Sequence, residues 1–409
     1  MYMSNTTRNN SKKTYSNPGH SGVRGPNHGY RNHTRPAKKV STLNPDLLIK
    51  EADRSGEENV FRSGRLIEEF PIHPKLKQAL ASKGYTRPTE IQDRTLEALL
   101  EGKDILGIAQ TGTGKTGAFL IPIIEKLLKK RINPYALVVV PTRELALQVE
   151  EEFKSMARGV GLYSACFIGG TSVHRDLQTL RRNSHVVIAT PGRLLDLADR
   201  GAMDLGKFHT LVLDEFDRML DMGFIHDVNR ILLAMKQRSQ TMLFSATLDK
   251  TQQSMINSIL HDPVTVKVST GDRTGDRIDQ DIIRLNPGED KFTVLQNMLN
   301  RADFEKVLLF EETKHRVSRL CLRLNKAGIP SEQIHGNKSQ NARQNALKAF
   351  KQGRVKVLVA TDVAARGLDI SDVSHVINYQ VPRTHDSYIH RIGRTGRAGK
   401  AGKAYTFVA

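Results

Sequence analysis

Two short segments of the chain carry the residue types of a phosphate-binding site. The first, AQTGTGKT, runs from Ala109 to Thr116 and follows the apolar run DILGI. Small residues allow backbone N–H groups to converge on an anion at the start of a helix, where the helix dipole favours negative charge. Lys115 is then placed to reach the β- and γ-phosphates of a nucleotide, and the Thr116 hydroxyl to face Mg²⁺. The segment predicts a nucleotide-binding loop, although Ala109 stands where the strict pattern has glycine.

The second segment, TLVLDEFD, contains three carboxylates, Asp214, Glu215 and Asp217. Acidic residues favour the first turn of any helix because they oppose its dipole, so an ordinary helix start would explain them in isolation. Downstream of a nucleotide-binding loop, however, they follow a strand of the same sheet, and ligands lie beyond the carboxyl ends of such strands. We therefore predict that Asp214 holds Mg²⁺ and that Glu215 orients or activates the attacking water.

The elements that position these residues follow from the hydrophobic pattern. From about residue 67, short apolar runs rich in β-branched residues alternate with amphipathic stretches such as GAFLIPIIEKLLKK. The runs that we predict as strands are DILGI (104–108), ALVVV (136–140), HVVIA (185–189), TLVLD (210–214), TMLFS (241–245), KVLLF (306–310), SEQIH (331–335), VKVLVA (355–360), HVINY (375–379) and AYTFV (404–408). Repeated β-turn-α units predict an α/β fold with parallel sheets covered by helices on both faces. The polar segment STGDRTGDRIDQ (269–280) predicts a linker between two such domains.

The first 40 residues have the composition of a disordered segment. They contain eight Lys or Arg, no Asp or Glu, and no Leu, Ile or Phe. Such a segment cannot bury enough apolar surface to offset the entropy of ordering. A mitochondrial transit peptide is also basic, but it needs an amphipathic helix, for which the apolar residues are missing. Residues 41–66 are predicted as a mixed connector to the first domain.

Composition narrows the function classes. The 409-residue chain has a formal charge of +19, which points to a polyanionic partner, nucleic acid first. Its two cysteines, Cys166 and Cys321, are too few and too far apart for a disulfide framework or a zinc site. No apolar run approaches the roughly 18 residues of a membrane span, so we expect a cytoplasmic protein without a membrane partner.

In their order and spacing, these and further motifs resemble the DEAD-box RNA helicases of helicase superfamily 2. The resemblance runs from about residue 67 to the C-terminus and includes GYTRPTEIQ (84–92), PTRELA (141–146), TPGR (190–193), SAT (245–247), FEET (310–313), HGNKSQNAR (335–343), ATDVAARGLDI (360–370) and HRIGRTGR (390–397). It implies two tandem RecA-like domains. We expect a tail and connector at 1–66, an ATP-binding domain at 67–268 with a Q motif at 65–93, a linker at 269–280 and a C-terminal domain at 281–409.

The resemblance also implies the cofactors, ATP and Mg²⁺, and the residues that hold them. Gln92 would read the adenine edge, and Thr116 and Asp214 would hold the metal, partly through water. The residues implied in nucleotide binding are Tyr85, Arg87, Gln92, Ala109, Gln110, Thr111, Gly112, Thr113, Gly114, Lys115, Thr116, Gly367 and Asp369. Those implied in catalysis are Lys115, Asp214, Glu215, Arg394 and Arg397, the two arginines reaching the γ-phosphate from the second domain.

A second group of residues is implied in RNA binding and in its coupling to ATP. The residues implied in contacts with RNA are Pro141, Thr142, Arg143, Gly169, Gly170, Thr190, Gly192, Arg193, Thr313, Gln340, Arg343 and Thr361. Those implied in coupling are Asp217, Ser245, Thr247 and His390, with His390 pairing with Asp217 across the cleft. In isolation HRIGRTGR would be a solvated basic helix. Opposite a nucleotide loop on the other domain, its arginines predict that hydrolysis requires the domains to close.

Three positions depart from the family pattern. Phe216 stands in the tetrad where the family has alanine, so we expect altered packing near the His390 contact. Ile67 replaces the usual aromatic residue before the Q motif, so we expect weaker support of the adenine. Gln380 replaces a usual aspartate, with no consequence that the sequence alone reveals.

These motifs predict an ATP-dependent RNA helicase that couples ATP binding and hydrolysis to local strand separation or remodelling of RNA–protein complexes. Two other classes stay open. One is an ATP-dependent RNA clamp or scaffold that barely unwinds, and the other is a DNA-directed superfamily 2 translocase, against which the Q motif is the main evidence. Composition does not separate RNA from DNA, because a basic tail binds the phosphates of either polymer. Contacts to 2′-hydroxyls are what discriminate RNA.

The basic tail gives a prediction of its own. If residues 1–40 tether RNA, their deletion should weaken RNA affinity and leave the saturated ATPase rate unchanged. For single strands, the slope of log affinity against log salt should become flatter by about 0.7 for every phosphate that the tail neutralises. Fluorescence anisotropy over a salt series measures this slope. An unchanged slope would identify the tail as a solubilising extension.

Overall fold

Two parallel β-sheets, one after the other along the chain, form the framework of the protein. The computed structural model describes residues 43–52, 63–110, 112–132, 135–248, 250–268, 278–365, 368, 370, 373–396 and 402–408. The predicted basic tail lies outside these residues.

The first sheet contains seven parallel strands. They are β1 (Ile105–Ile108), β2 (Ala136–Val139), β3 (Ser164–Phe167), β4 (Val186–Ala189), β5 (Thr210–Leu213), β6 (Gln240–Ser245) and β7 (Val264–Lys267), in the spatial order β3-β4-β2-β5-β6-β1-β7. The helices of this part are α1 (Pro74–Ser82), α2 (Glu90–Glu101), α3 (Lys115–Lys129), α4 (Arg143–Met156), α5 (Val173–Leu180), α6 (Pro191–Asp199), α7 (Phe216–Asp221), α8 (Ile225–Ala234) and α9 (Lys250–Ile259).

The second sheet contains six parallel strands. They are β8 (Ile278–Arg284), β9 (Val307–Phe310), β10 (Ser331–Ile334), β11 (Val357–Ala360), β12 (His375–Asn378) and β13 (Gly402–Val408), in the spatial order β10-β11-β9-β12-β13-β8. The accompanying helices are α10 (Lys291–Leu299), α11 (Lys314–Lys326), α12 (Gln340–Lys351), α13 (Asp362–Ala365) and α14 (His385–Ile392). The predicted α/β fold with two parallel-sheet domains is confirmed.

Each sheet is buried on both faces, which is why its strands are apolar without alternation. In β5, Val212 belongs to one core cluster, while Leu211 and Leu213 belong to the cluster on the opposite face. Phe216, at the start of α7, is fully buried in the second of these clusters. The phenylalanine of the DEFD segment is thus part of the apolar core.

Three strands were not predicted from the sequence, and each lies at a sheet edge. Strands β3 and β7 are only partly buried, and four residues with polar members give too weak a pattern to identify. Strand β8, IDQDIIR, begins at Ile278 within the segment predicted as linker. Its polar residues are tolerated because an edge strand is buried by a neighbour on one side only. The part of the predicted linker from 278 to 280 is therefore strand.

The predicted connector also contains structure. Residues 43–52, which we call the N-terminal strap, include a 3₁₀ turn at Pro45–Leu48, capped by the Asn44 side chain. Leu48 is buried in a core cluster with Ile278 and Tyr388 of the second sheet and its helices. The strap thus precedes the first domain in sequence but packs against the second. The sequence concealed this, because Leu43 and Leu48, which pack in this cluster, are five residues apart and fit neither a helical nor a strand period.

Among the residues that the structure describes, no helix is both long enough and apolar enough to cross a membrane.

Candidate functional site

The predicted phosphate loop joins β1 to α3. Gly112 and Gly114 have φ angles of +90° and +94°, which residues with a side chain rarely adopt. A Cβ on Gly114 would also lie 2.5 Å from Thr89 Oγ1, so the loop packs directly against the Q motif. The loop is anchored at its start, where Ala109 N donates to Ser245 O at 2.9 Å. Thr113 Oγ1 donates to Gln110 O, and Thr111 lies outside the described residues.

Lys115 is the first residue of α3 and its side chain is buried. Its ammonium Nζ lies 4.0 Å from Asp214 Oδ1 and has no hydrogen-bond partner among the described residues. A buried ammonium without hydrogen bonds is costly, so the site favours an anion that accepts them. Thr116, the next residue, is half-buried at the same helix N-terminus. These residues fit the phosphates of a nucleotide.

Asp214 directly follows β5 and is buried beside Lys115. Burial raises the pKa of its carboxyl from 3.8 to about 6, even though the Lys115 charge opposes the rise. Asp214 Oδ1 accepts a hydrogen bond from Glu215 N at 2.9 Å. A buried, poorly neutralised carboxylate is suited to a cation. The described residues contain no group of three or more His, Cys, Asp or Glu able to hold a metal, so Mg²⁺ here would need phosphate and water ligands beside Asp214 and Thr116.

Glu215 has a left-handed backbone, with φ 55° and ψ 51°. A residue other than glycine in this region is strained and is often functional. Its side chain forms a buried ion pair with Arg218, one turn further along α7. Burial alone would raise the pKa of Glu215, but the charges of Arg218, Lys115 and Arg394 outweigh it and lower the pKa. The carboxylate is therefore held ionised. Sequence reasoning missed Arg218, although it directly follows the tetrad.

Asp217 joins α7 to the SAT segment after β6. One of its carboxylate oxygens, Oδ2, accepts hydrogen bonds from Ala246 N at 3.2 Å, Thr247 N at 3.1 Å and Thr247 Oγ1 at 3.1 Å. Ser245 Oγ donates to Thr247 O, and Ser245 O accepts from the phosphate loop. A continuous set of hydrogen bonds thus joins the phosphate loop, the SAT segment and the tetrad. The predicted pairing of Asp217 with His390, in the last turn of α14, stays a prediction.

The Q motif packs on the phosphate loop. Gln92 is buried, its Nε2 donates to Gly114 O at 3.0 Å, and its Oε1 accepts from Thr89 N at 3.0 Å. Tyr85 Oη donates to Glu152, and burial raises the tyrosine pKa. Arg87 Nη1 donates to Ser63 O at 2.7 Å. Gln92 thus supports the phosphate loop, and its contact with adenine stays a prediction.

Ile67, at the position of the missing aromatic residue, is buried in the first core cluster. Its backbone N–H donates to Thr86 O at 3.0 Å, which holds the upstream segment against the Q motif.

The second domain contributes arginines. Arg394 is buried, its Nη1 donates to Leu368 O at 2.9 Å, and its charge reaches Glu215 of the first domain. Arg391, which sequence reasoning missed, pairs with Asp362 and donates to Asn378 Oδ1 and Gln380 O. This arginine locks α14 onto α13 and the end of β12. The predicted residues Gly367, Asp369 and Arg397 lie outside the described residues.

Gln380, the third departure from the family pattern, contacts two arginines. Its backbone oxygen accepts from Arg391 at 2.8 Å, and its Oε1 accepts from Arg316 at 3.4 Å. Gln380 thus contacts Arg316 through a neutral amide, and Arg316 also pairs with Glu312.

The predicted RNA-contacting residues of the first domain surround the starts of α4 and α6. The side chain of Arg143 packs over Gly169 and Gly170, and a Cβ on Gly169 would lie 3.1 Å from its Nη2. Arg193 is mostly buried, pairs with Asp176, and donates to Thr171 O at 2.9 Å. Its guanidinium therefore positions the turn that follows Gly170. Asp176 was missed because nothing in its sequence neighbourhood marks it.

The other residues predicted to contact RNA begin helices or precede them. Thr142 caps α4 and Thr313 caps α11 through their hydroxyls, while Thr190 and Thr361 precede α6 and α13. Pro141 is buried before α4, and Gly192 lies in the first turn of α6. Helix N-termini present free backbone N–H groups, which suits them to phosphates.

A contact between the domains involves a residue that sequence reasoning missed, Glu144. This buried residue of α4 pairs with Arg343 of α12, with Nε and Oε1 2.8 Å apart. Gln340 Nε2 also donates to Glu144 Oε1, at 3.2 Å. Burial and then the charge of Arg343 lower the pKa of Arg143, so basic groups of both domains meet here. Glu144 lies within the PTRELA motif, which was the available signal.

Two successive parallel-sheet domains, one with a phosphate loop and acidic tetrad and one supplying arginines, define a two-domain P-loop protein. The model of the DEAD/DEAH box helicase family matches residues 89–255, and that of the helicase conserved C-terminal domain matches residues 290–399. The chain belongs to the DEAD-box helicase family.

Named relatives lie well within this family. The chain is 43% identical over 340 residues to the ATP-dependent RNA helicase CshA of Listeria monocytogenes, and the match covers 83% of this chain and 65% of that protein. It is 43% identical over 341 residues to CshA of Geobacillus kaustophilus, covering 83% of this chain and 73% of the relative. The chain thus spans less than two thirds of the length of the first relative.

Solved structures of the family match both domains together. Dbp5 of S. cerevisiae, bound to RNA and ADP BeF3, is 32% identical with a TM-score of 0.75, covering 83% of this chain and 88% of that one. Mss116, bound to ssRNA and UDP-BeF, is 32% identical with a TM-score of 0.74, covering 84% and 74%. A score this high over both domains requires a similar arrangement of the two, so the described domains resemble those of these ligand-bound relatives.

The raised pKa of Asp214 predicts a stabilising substitution. Ionising a carboxyl whose pKa is raised by folding disfavours the fold, and this cost develops as the pH rises from about 4 to about 6 and is constant above. Asp214→Asn should therefore raise the Tm of the nucleotide-free, metal-free protein near pH 8. The gain should shrink as the pH falls below about 6.

Thermal unfolding followed by circular dichroism over this pH range measures the gain. Asp199→Asn is the matched control, because Asp199 is an exposed partner of Arg230 and its change should give no such pH-dependent gain. A lower Tm for Asp214→Asn than for the wild type near pH 8 would contradict the account of a poorly neutralised charge.

Proposed function

We propose that the protein is an ATP-dependent RNA helicase. It binds RNA across both domains and couples ATP binding and hydrolysis to local strand separation or remodelling of RNA–protein complexes. The observation that carries the proposal is the buried Lys115, whose ammonium lies 4.0 Å from Asp214 Oδ1 and lacks a hydrogen-bond partner among the described residues. The names of the CshA relatives support it.

The residues of the first domain divide the work at the phosphates. Lys115 and the N-terminus of α3 bind the phosphates, and Asp214 with Thr116 holds Mg²⁺. When bound, this cation neutralises charge on the phosphate oxygens. Glu215, held ionised by Arg218, orients the attacking water and accepts its proton. Tyr85, Arg87 and Gln92 hold the adenine side.

The second domain completes the site only when the domains meet. Arg394 and Arg397 stabilise the charge that develops on the γ-phosphate, and Gly367 and Asp369 contact the nucleotide. An arginine supplied by a facing domain is worth about 10³–10⁵ in rate. Hydrolysis therefore requires the two domains to close. Asp217 couples the conformation of the tetrad to that of the SAT segment through its three hydrogen bonds.

RNA binds where basic groups of the two domains meet. Arg143 and Arg343 supply positive charge, and the N-termini of α4, α6 and α11 supply backbone donors for phosphates. Gln340 Oε1 is buried and has no hydrogen-bond partner among the described residues, which leaves an acceptor for a donor such as a ribose 2′-hydroxyl. The basic tail adds non-specific phosphate contacts, and we expect the protein to act in the cytoplasm.

Two assays separate this function from the alternatives. Single-stranded RNA should stimulate ATP hydrolysis at least tenfold more than single-stranded DNA of the same sequence, and ATP should support displacement of a short RNA duplex. Stimulation by RNA without displacement would identify a clamp. Equal stimulation by DNA would identify a DNA translocase and contradict the proposal.

Two variants, measured in the same assays, test the roles of Glu215 in hydrolysis and of Lys115 in ATP binding. Glu215→Gln should keep ATP binding and cut turnover by at least about 10²-fold, because it removes the proton acceptor of the transition state and keeps a polar side chain of similar size beside Arg218. Lys115→Ala should weaken ATP binding itself. Lys207→Ala, an exposed lysine paired with Asp204, is the control and should leave both quantities unchanged. Near-normal turnover of Glu215→Gln would show that Glu215 has another role.

A further inference from the structure

The N-terminal strap is anchored on the second domain by specific contacts. Leu48 is 2% exposed, whereas the adjacent Ile49 is 53% exposed, so one side chain is inserted and its neighbour faces solvent. Leu48 packs in a cluster with Ile278, Tyr388 and Ile392. Its carbonyl oxygen also lies 3.5 Å from Tyr388 Oη. The strap is therefore docked through a buried side chain as well as through its backbone.

Backbone pairing extends the second sheet. Strand β8 is an edge strand, and Lys50 pairs with Gln280 in antiparallel fashion, with N···O distances of 2.9 and 2.7 Å. Ala52 N donates to Asp279 Oδ1 at 2.9 Å, and Tyr388 Oη donates to Gln280 Oε1 at 2.9 Å. A sheet edge presents unpaired backbone groups that bind an added strand. Here the occupant is a segment of the same chain.

The chain that follows the strap is anchored on the other domain, at the Q motif. Ser63 is buried, its Oγ donates to Asp93 Oδ2 at 2.9 Å, and its carbonyl accepts from Arg87. Arg65 pairs with Asp93 at 2.8 Å, and Ile67 N donates to Thr86 O. Ten residues of covalent chain, 53–62, connect this anchor with the strap. Ten residues span at most about 33–36 Å.

We propose that the strap is an intramolecular clasp that ties the β8 edge of the second domain to the adenine side of the first. The chain then joins the two domains twice, before the first domain and again between β7 and β8. A second tether raises the effective concentration of one domain at the other. Residues 63–67, which follow the strap along the chain, contact the Q motif. Docking of the strap therefore also stabilises the predicted adenine-binding side of the first domain, which contains Ile67. The strap precedes both matched family models, which begin at residues 89 and 290.

Full-length Leu48→Asp and Ile49→Asp test the clasp as a matched pair. Leu48→Asp places a charge in an apolar cluster and should release the strap, whereas Ile49→Asp changes an exposed neighbour. In hydrogen exchange of the nucleotide-free protein, Leu48→Asp should remove the protection of the amides that bond between the strap and β8, those of Lys50, Ala52 and Gln280. It should also raise exchange at 63–70, with the control matching the wild type at all of these positions. Tyr388→Phe, which removes only the hydroxyl, should release the strap partially.

The consequence for nucleotide use rests on the proposed function and has its own readout. Leu48→Asp should raise the ATP concentration for half-maximal RNA-stimulated hydrolysis by about 3–10-fold and leave the saturated rate unchanged. Strap amides that exchange as fast in the wild type as in Leu48→Asp would overturn the docking. Release of the strap without faster exchange at 63–70 would overturn the coupling. A wild type that does not hydrolyse ATP would contradict the proposed function, while the exchange results would still decide the clasp.

Discussion

The buried carboxylate of Glu144 is the contact on which the arrangement of the two domains depends. It lies on the first domain and receives both Gln340 and Arg343 of the second. Removing one partner of such a buried pair leaves a charge without compensation, which is far more costly than losing an exposed ion pair. The charge of Arg343 lowers the pKa of Arg143 and the charge of Glu144 raises it, so Glu144 offsets the repulsion between two arginines at the predicted RNA surface. A bound polyanion would further reduce the electrostatic repulsion between these two arginines.

In the nucleotide site, too, buried charges are only partly neutralised by their neighbours. Lys115 and Asp214 are buried 4.0 Å apart, too far for a hydrogen bond, and the Asp214 pKa of about 6 reports the remaining cost of its charge. Glu215 is different, because Arg218 compensates it at the expense of a strained backbone. The first domain thus has one carboxylate, Asp214, that is suited to bind a cation and another, Glu215, that is suited to accept a proton. The charge of Arg394 reaches this second carboxylate from the other domain.

Much of the fold was predictable, because the buried parallel strands are short runs rich in β-branched residues and the phosphate loop has its glycines at characteristic positions. Edge strands β3, β7 and β8 were not, since their half-exposed residues lack a hydrophobic pattern. The sequence identified charged residues inside the predicted motifs, but it could not identify the residues with which they form ion pairs and hydrogen bonds. Arg193 faces Asp176, and Glu144 faces a helix nearly 200 residues away, at a separation of 196 from Gln340. The strap was missed for a related reason: Leu43 and Leu48, which pack against the second domain, leave no periodic signal.

A double-mutant cycle on Glu144→Gln and Arg343→Gln tests most directly whether this contact closes the domains. Each single variant leaves its partner's charge buried, so each should lower RNA-stimulated ATP turnover, and the double variant should lose less than the two losses combined. We expect a coupling of at least about 1 kcal/mol. The cycle on Glu312→Gln and Arg383→Gln, an exposed pair within the second domain, should show almost none. Effects of the Glu144 and Arg343 substitutions that simply add, within about 0.5 kcal/mol, would contradict the account.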